Sequence, residues 1–478
     1  MKKKLVSLAV FTALAGGMSA AQAVHVNGDG LGQVLLYPFY SVEGGNDTYV
    51  TVVNTTDQTK AVKVRFLEGM NSQEVLDFNL YLSPKDVWVA VISDRGNEDG
   101  AAILRTPDTS CTVPQIPADG VAFRNFQYTA DSVNGVTRTR EGYVEMIEMG
   151  TVVDEVAPST FVPATWAKHV DGEPNNCANL RAAWSQGGGW ATNPNRAMEA
   201  VSGGLYGSGV LINVDRGTAV AYDATALDDF WSPGGIAHTD PGNILPSLAS
   251  GVPTANVIEG NQVYTVDFLR GIDAVSATVM RSSIANDYIL DADFNGATDW
   301  VINFPTKRFY TNVAPAVEGQ FGFSAPFTDG WNRRDSAACE SVTLDYWDRE
   351  ETPRVPEGID FSPSPDRDPF ALCSEVNVLT FNNTDALFAS SRIRNNLNVD
   401  FENGWLAMGF DVDGLGRSLT GFGDGEVGIE FRGLPVIGFA VQRYENGATL
   451  GGLLANYMGL TNHKATRTID SNAGFLGE

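Results

Sequence analysis

The chain has 478 residues, with 58 Asp and Glu against 32 Lys and Arg, a formal charge of −26. Such a surface repels nucleic-acid phosphates and anionic lipid, because binding either needs Lys and Arg to displace counterions. Four histidines and four cysteines leave little material for imidazole or thiolate metal sites, whereas 50 glycines suit many tight turns.

The first 23 residues, MKKKLVSLAVFTALAGGMSAAQA, read as a signal peptide. Lys2, Lys3 and Lys4 form the basic region, Leu5 to Ala15 the apolar region, and Ala21-Gln22-Ala23 a small-x-small cleavage site. The mature chain would start at Val24, and loss of three lysines moves the formal charge from −26 to −29 (−26 − 3). No later apolar run reaches the roughly 20 residues of a membrane-crossing helix. The expected location is secreted or cell surface, with the periplasm as the alternative. An oxidising compartment predicts structural disulfides from Cys111, Cys177, Cys339 and Cys373. Sequential pairing, 111–177 and 339–373, is preferred among three connectivities because it keeps one bridge in each half. Each would contribute about 4 kcal/mol in the loop-entropy picture.

Short alternating runs rich in Val, Tyr, Phe, Thr and Trp follow one another between Gly, Asn, Asp and Pro. Predicted strands include 32–40, 49–53, 61–67, 87–92 and 300–304. Short helices are predicted at 181–184 and 196–201. Residues 232–261, with four prolines and five glycines, read as a linker between domains 24–231 and 262–478. Leu205–Tyr222 and Pro435–Leu450 both read as strand, turn, strand. Leu76-Asp77 leads to Trp88 as Leu290-Asp291 leads to Trp300, and one cysteine pair follows each tryptophan. The predicted fold class is therefore all-β, two tandem antiparallel β-sandwich (Ig-like) domains arising from a diverged duplication.

Asn46 to Phe66, where a strand ends at an Asn and the next begins after a polar turn, resembles two sandwich strands of bacterial secreted Ig-like modules. Together with Trp300 to Tyr310, it resembles uncharacterised exported β-sandwich proteins of Gram-negative bacteria, some labelled cell-surface proteins. The resemblance implies a location and a fold. It brings no catalytic residues.

No H-E-x-x-H, G-x-S-x-G, Walker A or C-x-x-C pattern occurs. Of the histidines, His25, His238 and His463 read as solvent-exposed, and His169 as a surface or disulfide-loop residue rather than a catalytic base. Glu145 and Glu148, three apart on a strand, should point to opposite faces. Asp345, Asp348, Glu350 and Glu351 crowd Tyr346 and Trp347, as on a solvated strand edge or, less simply, the wall of a sugar cleft. The stretch LDADFNGATD (290–299) sets Asp291, Asp293 and Asn295 at calcium-loop spacing. The twelfth position from Asp291 is Ile302 where an EF-hand has Glu, so an acidic hairpin bend is the preferred reading and a loose calcium turn the alternative. Asp411–Gly414 and Gly423–Glu426 are further acidic turns.

Two functions are expected from these residues. The first is a non-enzymatic extracellular structural or adhesive protein with surface or matrix partners, itself among them. One version has Gly32–Tyr40 pairing with a neighbour's sheet edge, against the simpler reading as its own domain's first strand. The second is a glycan-binding or glycan-processing protein using Trp184, Trp190, Trp231, Trp331 and Trp347.

Overall fold

A computed structural model of the chain describes residues 22–94, 100–317, 319–353, 370–423, 427–448 and 454–473. Residues 1–21 of the predicted signal peptide, 354–369 of the proline-rich loop and Asp424–Glu426 of one acidic turn lie outside them. Strand makes up 47% and helix 11%, so the chain is all-β.

Two sheets dominate the first half. One runs 25–26, 225–228, 34–41, 141–152, 59–68, 74–82, 111–113, and the other 218–223, 205–213, 46–54, 87–93, 103–105, 121–122. They face each other across a core that includes Phe39, Val52, Val64, Phe66, Phe78 and Trp88. Along Val34–Ser41, Thr59–Glu68 and Glu141–Val152 every residue is buried. These strands are therefore covered on both faces, unlike those of a sandwich with one wet side. Val34–Ser41 pairs with a strand on each side, so it belongs to its own sheet and is not an edge offered to a neighbour.

The second half holds three main sheets. A four-stranded one runs 343–348, 403–409, 283–289, 464–466; a five-stranded one runs 394–397, 376–381, 296–303, 437–448, 454–462; another runs 254–259, 262–267, 418–422, 428–432, 468–473. Among the described residues the strand pairings are antiparallel except Val376–Phe381 with Arg394–Leu397. In Gly296–Asn303, Trp300 and Ile302 face the second half's core while Val301 joins the first half's. Val34, Leu36 and Ile147 make the reverse crossing. Polar bonds follow the same seam: Asn303 Nδ2 donates to the Pro38 carbonyl at 2.9 Å and Asn46 Nδ2 to that of Leu387 at 2.7 Å.

Residues 232–261 are consequently not a free tether. Leu248, Ala255 and Val257 are buried, Thr254–Glu259 is a strand, and His238 is inserted among Tyr81, Trp184 and Trp190. Proline and glycine content marks turns here, but the intervening apolar residues cover the first sheet's outer face. The helix expected at 181–184 is part of Cys177–Ala183, whose N-cap Asn176 accepts from the Asn179 N–H. At 196–201 a turn and the two-residue strand Met198–Glu199 replace the expected helix, because the latter pairs with Thr151–Val152.

Both predicted disulfides form, Cys111–Cys177 and Cys339–Cys373. A tandem duplication is not shown by the strand order. A hairpin closes a sheet edge in each half, at 205–223 and 437–462. The Trp300 strand lies directly beside its hairpin, whereas the Trp88 strand is separated from its hairpin by Asn46–Asn54.

Candidate functional site

The four-stranded and five-stranded sheets of the second half part at one end to leave a cleft of about 610 Å³. Its lining joins Asp287, Tyr288 and Ile289 from one strand, Asp291 and Phe294 from the next turn, Asp348 and Arg349, Asn403 to Trp405, and Tyr444. Period-two alternation explains the arrangement. In Asn403–Gly409, Leu406 and Met408 are buried, so Trp405 turns to the opposite face and is 44% exposed.

Trp405 stands directly across the ladder from Trp347 on one side and Asp287 on the other. The two indoles stack, ring centres 4.2 Å apart and planes within 17°. Trp405 is thus backed by Trp347 while remaining open to solvent. Phe294, at 55% exposure, adds a second aromatic surface. Gly404 is required between them: a Cβ there would meet the Trp347 carbonyl oxygen at 2.1 Å and the Tyr288 hydroxyl at 2.8 Å.

Polar groups surround the rings. Asp287 Oδ2 accepts from Gln442 Nε2 at 2.8 Å, and Tyr444 Oη donates to Gln442 Oε1 at 3.0 Å. Asp348 Oδ1 accepts the N–H groups of Glu350 and Thr352. Although desolvation opposes ionisation, those donors and Arg349 hold the Asp348 carboxyl below the usual carboxylate range. Burial, then neighbouring Tyr346 and carboxylates, pushes the Tyr288 phenol up. The buried Tyr288 Oη and Asn403 Oδ1 have no hydrogen-bond partner among the described residues. Such groups cost about 1–3 kcal/mol each until something pairs with them. The cleft thus offers an aromatic platform flanked by carboxylates.

The 290–299 stretch contributes a bend to this cleft. Asp291 caps a short 3₁₀ turn by accepting the Asp293 N–H at 2.9 Å, and Asn295 takes a left-handed conformation at φ 45°. Asn295 Nδ2 donates to the Glu445 carbonyl at 2.8 Å, which ties the turn to the neighbouring hairpin. No three Asp, Glu, His or Cys side chains gather at metal-binding distance among the described residues.

Asp345, Glu350 and Glu351 are exposed on and after the edge strand Thr343–Asp348; of that acidic run only Asp348 lines the cleft. Glu145 and Glu148 go to opposite faces of the first sheet, where they pair with Arg65 and Lys60 at 2.8 Å each. Of the five tryptophans expected in a cleft, Trp190, Trp231 and Trp331 are buried, and Trp184 donates to the Tyr81 hydroxyl. None of the five lines this cleft; Trp347 stands behind it as the support for Trp405. Sequence reasoning missed Trp405, although its phase against Leu406 and Met408 marks it as outward.

Two of the histidines expected to be solvent-exposed are not. His238 is buried, with Nδ1 2.7 Å from the Pro194 carbonyl oxygen and Nε2 2.9 Å from the Tyr81 hydroxyl. His463 packs on Trp300. Desolvation lowers both imidazoles to about 4. Ser83, His169 and Asp86 do come together, but Ser83 Oγ at 2.9 Å and Asp86 Oδ2 at 3.6 Å meet the same Nδ1. A catalytic relay needs the serine and the carboxylate on different ring nitrogens. Asp86 here is occupied by the Ser83 N–H and Ser110 hydroxyl, as a turn support.

Comparison with family models, with curated proteins and with solved structures finds no match for this chain.

Proposed function

We propose that this is an exported, non-catalytic cell-surface or extracellular protein that adheres to neutral glycans through the cleft around Trp405. The observation that carries the reading is the exposed Trp405 face, backed by Trp347 and flanked by Asp287, Asp348 and Phe294. A pyranose presents polarised C–H groups on one face and hydroxyls at its edge. The negative face of an indole attracts the former, and ionised carboxylates accept the latter.

The test is a glycan array with the mature protein, followed by tryptophan-fluorescence titration of each positive. Trp405→Ala should abolish binding, and Asp287→Asn should weaken it without changing the melting temperature. Silence across neutral polysaccharides, or binding untouched by Trp405→Ala, would remove the basis for this reading.

A further inference from the structure

A second cleft, of about 690 Å³, opens where the two halves meet and has the opposite electrostatic character. Arg65, Arg308 and Arg333 all line it, on a chain in which acidic residues outnumber basic ones by 58 to 32. Arg65 is neutralised by Glu74 and Glu145, each at 2.8 Å. Asp131, the nearby carboxylate, is engaged by Arg138 at 2.8 Å and lies 3.8 Å from Arg333. Arg308 has no ion pair among the described residues; its Nη1 donates to the Ser72 carbonyl at 2.8 Å. Arg308 therefore stands in the cleft without a direct ion pair among the described residues, although Glu145 and Glu375 lie near enough to act on its charge, beside a second guanidinium that is only loosely paired.

The rest of the lining describes what would accompany an anion. Phe309, Phe321 and the edge of buried Trp331 form an apolar wall, with the Arg333 guanidinium 5.0 Å over the Phe321 ring. Gln73, Gln127 and Asn312 supply amides, and the buried Asn312 Oδ1 is without a partner. A planar guanidinium matches a carboxylate by two parallel hydrogen bonds, and amides beside aromatics match hydroxyls on a ring. The volume lies within the range of small-ligand sites.

We infer that this inter-half cleft binds a hexuronate, its carboxylate on Arg308 and Arg333 and its ring against Phe309 and Phe321. The site is separate from the Trp405 cleft and does not depend on the reading of that cleft.

Calorimetric titration of the mature, disulfide-intact protein with galacturonate, an oligogalacturonate, galactose and inorganic phosphate tests this. Galacturonate or its oligomer should bind, more weakly as salt rises, while galactose and phosphate give no heat; which of the two binds tells a free sugar acid from a polysaccharide residue. Arg308→Gln should weaken binding roughly tenfold or more, and Trp405→Ala should leave it unchanged. Arg333 is half-exposed, so Arg333→Gln, whose folding is checked by circular dichroism, carries the test if Arg308→Gln does not fold. Galactose binding as tightly as galacturonate, phosphate binding as tightly, no heat with either uronate, or binding indifferent to both arginine variants would each overturn the assignment.

Discussion

Replacing Arg138 with methionine should be among the most damaging single changes in this protein. Its side chain is 1% exposed, with Nε and Nη2 on Glu68 at 2.6 and 2.8 Å, and Nη1 on Asp131 at 2.8 Å. The guanidinium also lies 4.3 Å over the Tyr128 ring. Through Asp131 the cluster reaches the second half, because Trp331 Nε1 donates to Asp131 Oδ1 at 3.3 Å. Methionine keeps much of the volume but leaves buried Glu68 without its cation and Asp131 with only the looser Arg333 at 3.8 Å. Breaking such a pair costs about 3–5 kcal/mol. Glu68 retains N–H donors from Met70, Asn71 and Gln73, which places the expected loss near the lower end.

The pH dependence follows from the same contacts. Burial pushes the Glu68 carboxyl up, but Arg138 overcomes this and holds it below the usual range. Without Arg138, burial prevails and folded Glu68 binds a proton more tightly than the unfolded chain. The variant should therefore lose more stability at pH 8 than at pH 5. The assay is urea unfolding of the oxidised protein, followed by tryptophan fluorescence. Adding Glu68→Gln to Arg138→Met should recover part of the loss. A deficit under about 1 kcal/mol, the size expected of an exposed pair, or no recovery in the double variant, would refute the reasoning.

Four further outcomes are expected. Burial raises Glu141 to about 7 and Glu375 to about 8, so their stability contribution is complete below pH 4 and is lost as pH rises through 7 and 8. Glu375→Gln should flatten the decline in melting temperature between pH 6.5 and 8.5; an unchanged slope would contradict it. His238, lowered to about 4, acts in the opposite direction, with stability present above its unfolded value near 6.5 and lost as pH falls through 4. His238→Phe should reduce that acid-side loss in the same melting series. Replacing both Cys339 and Cys373 with alanine opens a bridge of sequence separation 34 and should cost about 4 kcal/mol in urea unfolding. If 290–299 is an acidic bend, EDTA and added calcium should leave the melting temperature unchanged; calcium stabilisation abolished in Asp291→Ala/Asp293→Ala would establish a metal turn instead.

Much of the local structure was legible because it is encoded by neighbours along the chain. Alternating Val, Tyr and Phe runs became strands, and Asp293-Phe-Asn-Gly became a bend because Asn295 adopts the left-handed conformation its short polar side chain tolerates. Spacing alone put Glu145 and Glu148 on opposite faces. Composition misled where burial depends on distant partners. Residues 232–261 have a linker's prolines and glycines, yet Leu248, Ala255 and Val257 pack into a core whose other members lie far away in sequence. His238 could not be recognised as buried without the Tyr81 and Trp190 rings that enclose it.

The all-β class is a property the sequence determined by itself, since strand period is written locally; among three possible pairings of its four cysteines it only favoured the sequential one, which the fold selects. The joining of the halves through shared cores, the exposed Trp405 on its Trp347 support, and the gathering of Arg308 and Arg333 at one cleft were decided only by the tertiary structure. Each depends on which strands and loops pair across hundreds of residues, and no local pattern of side chains specifies that pairing.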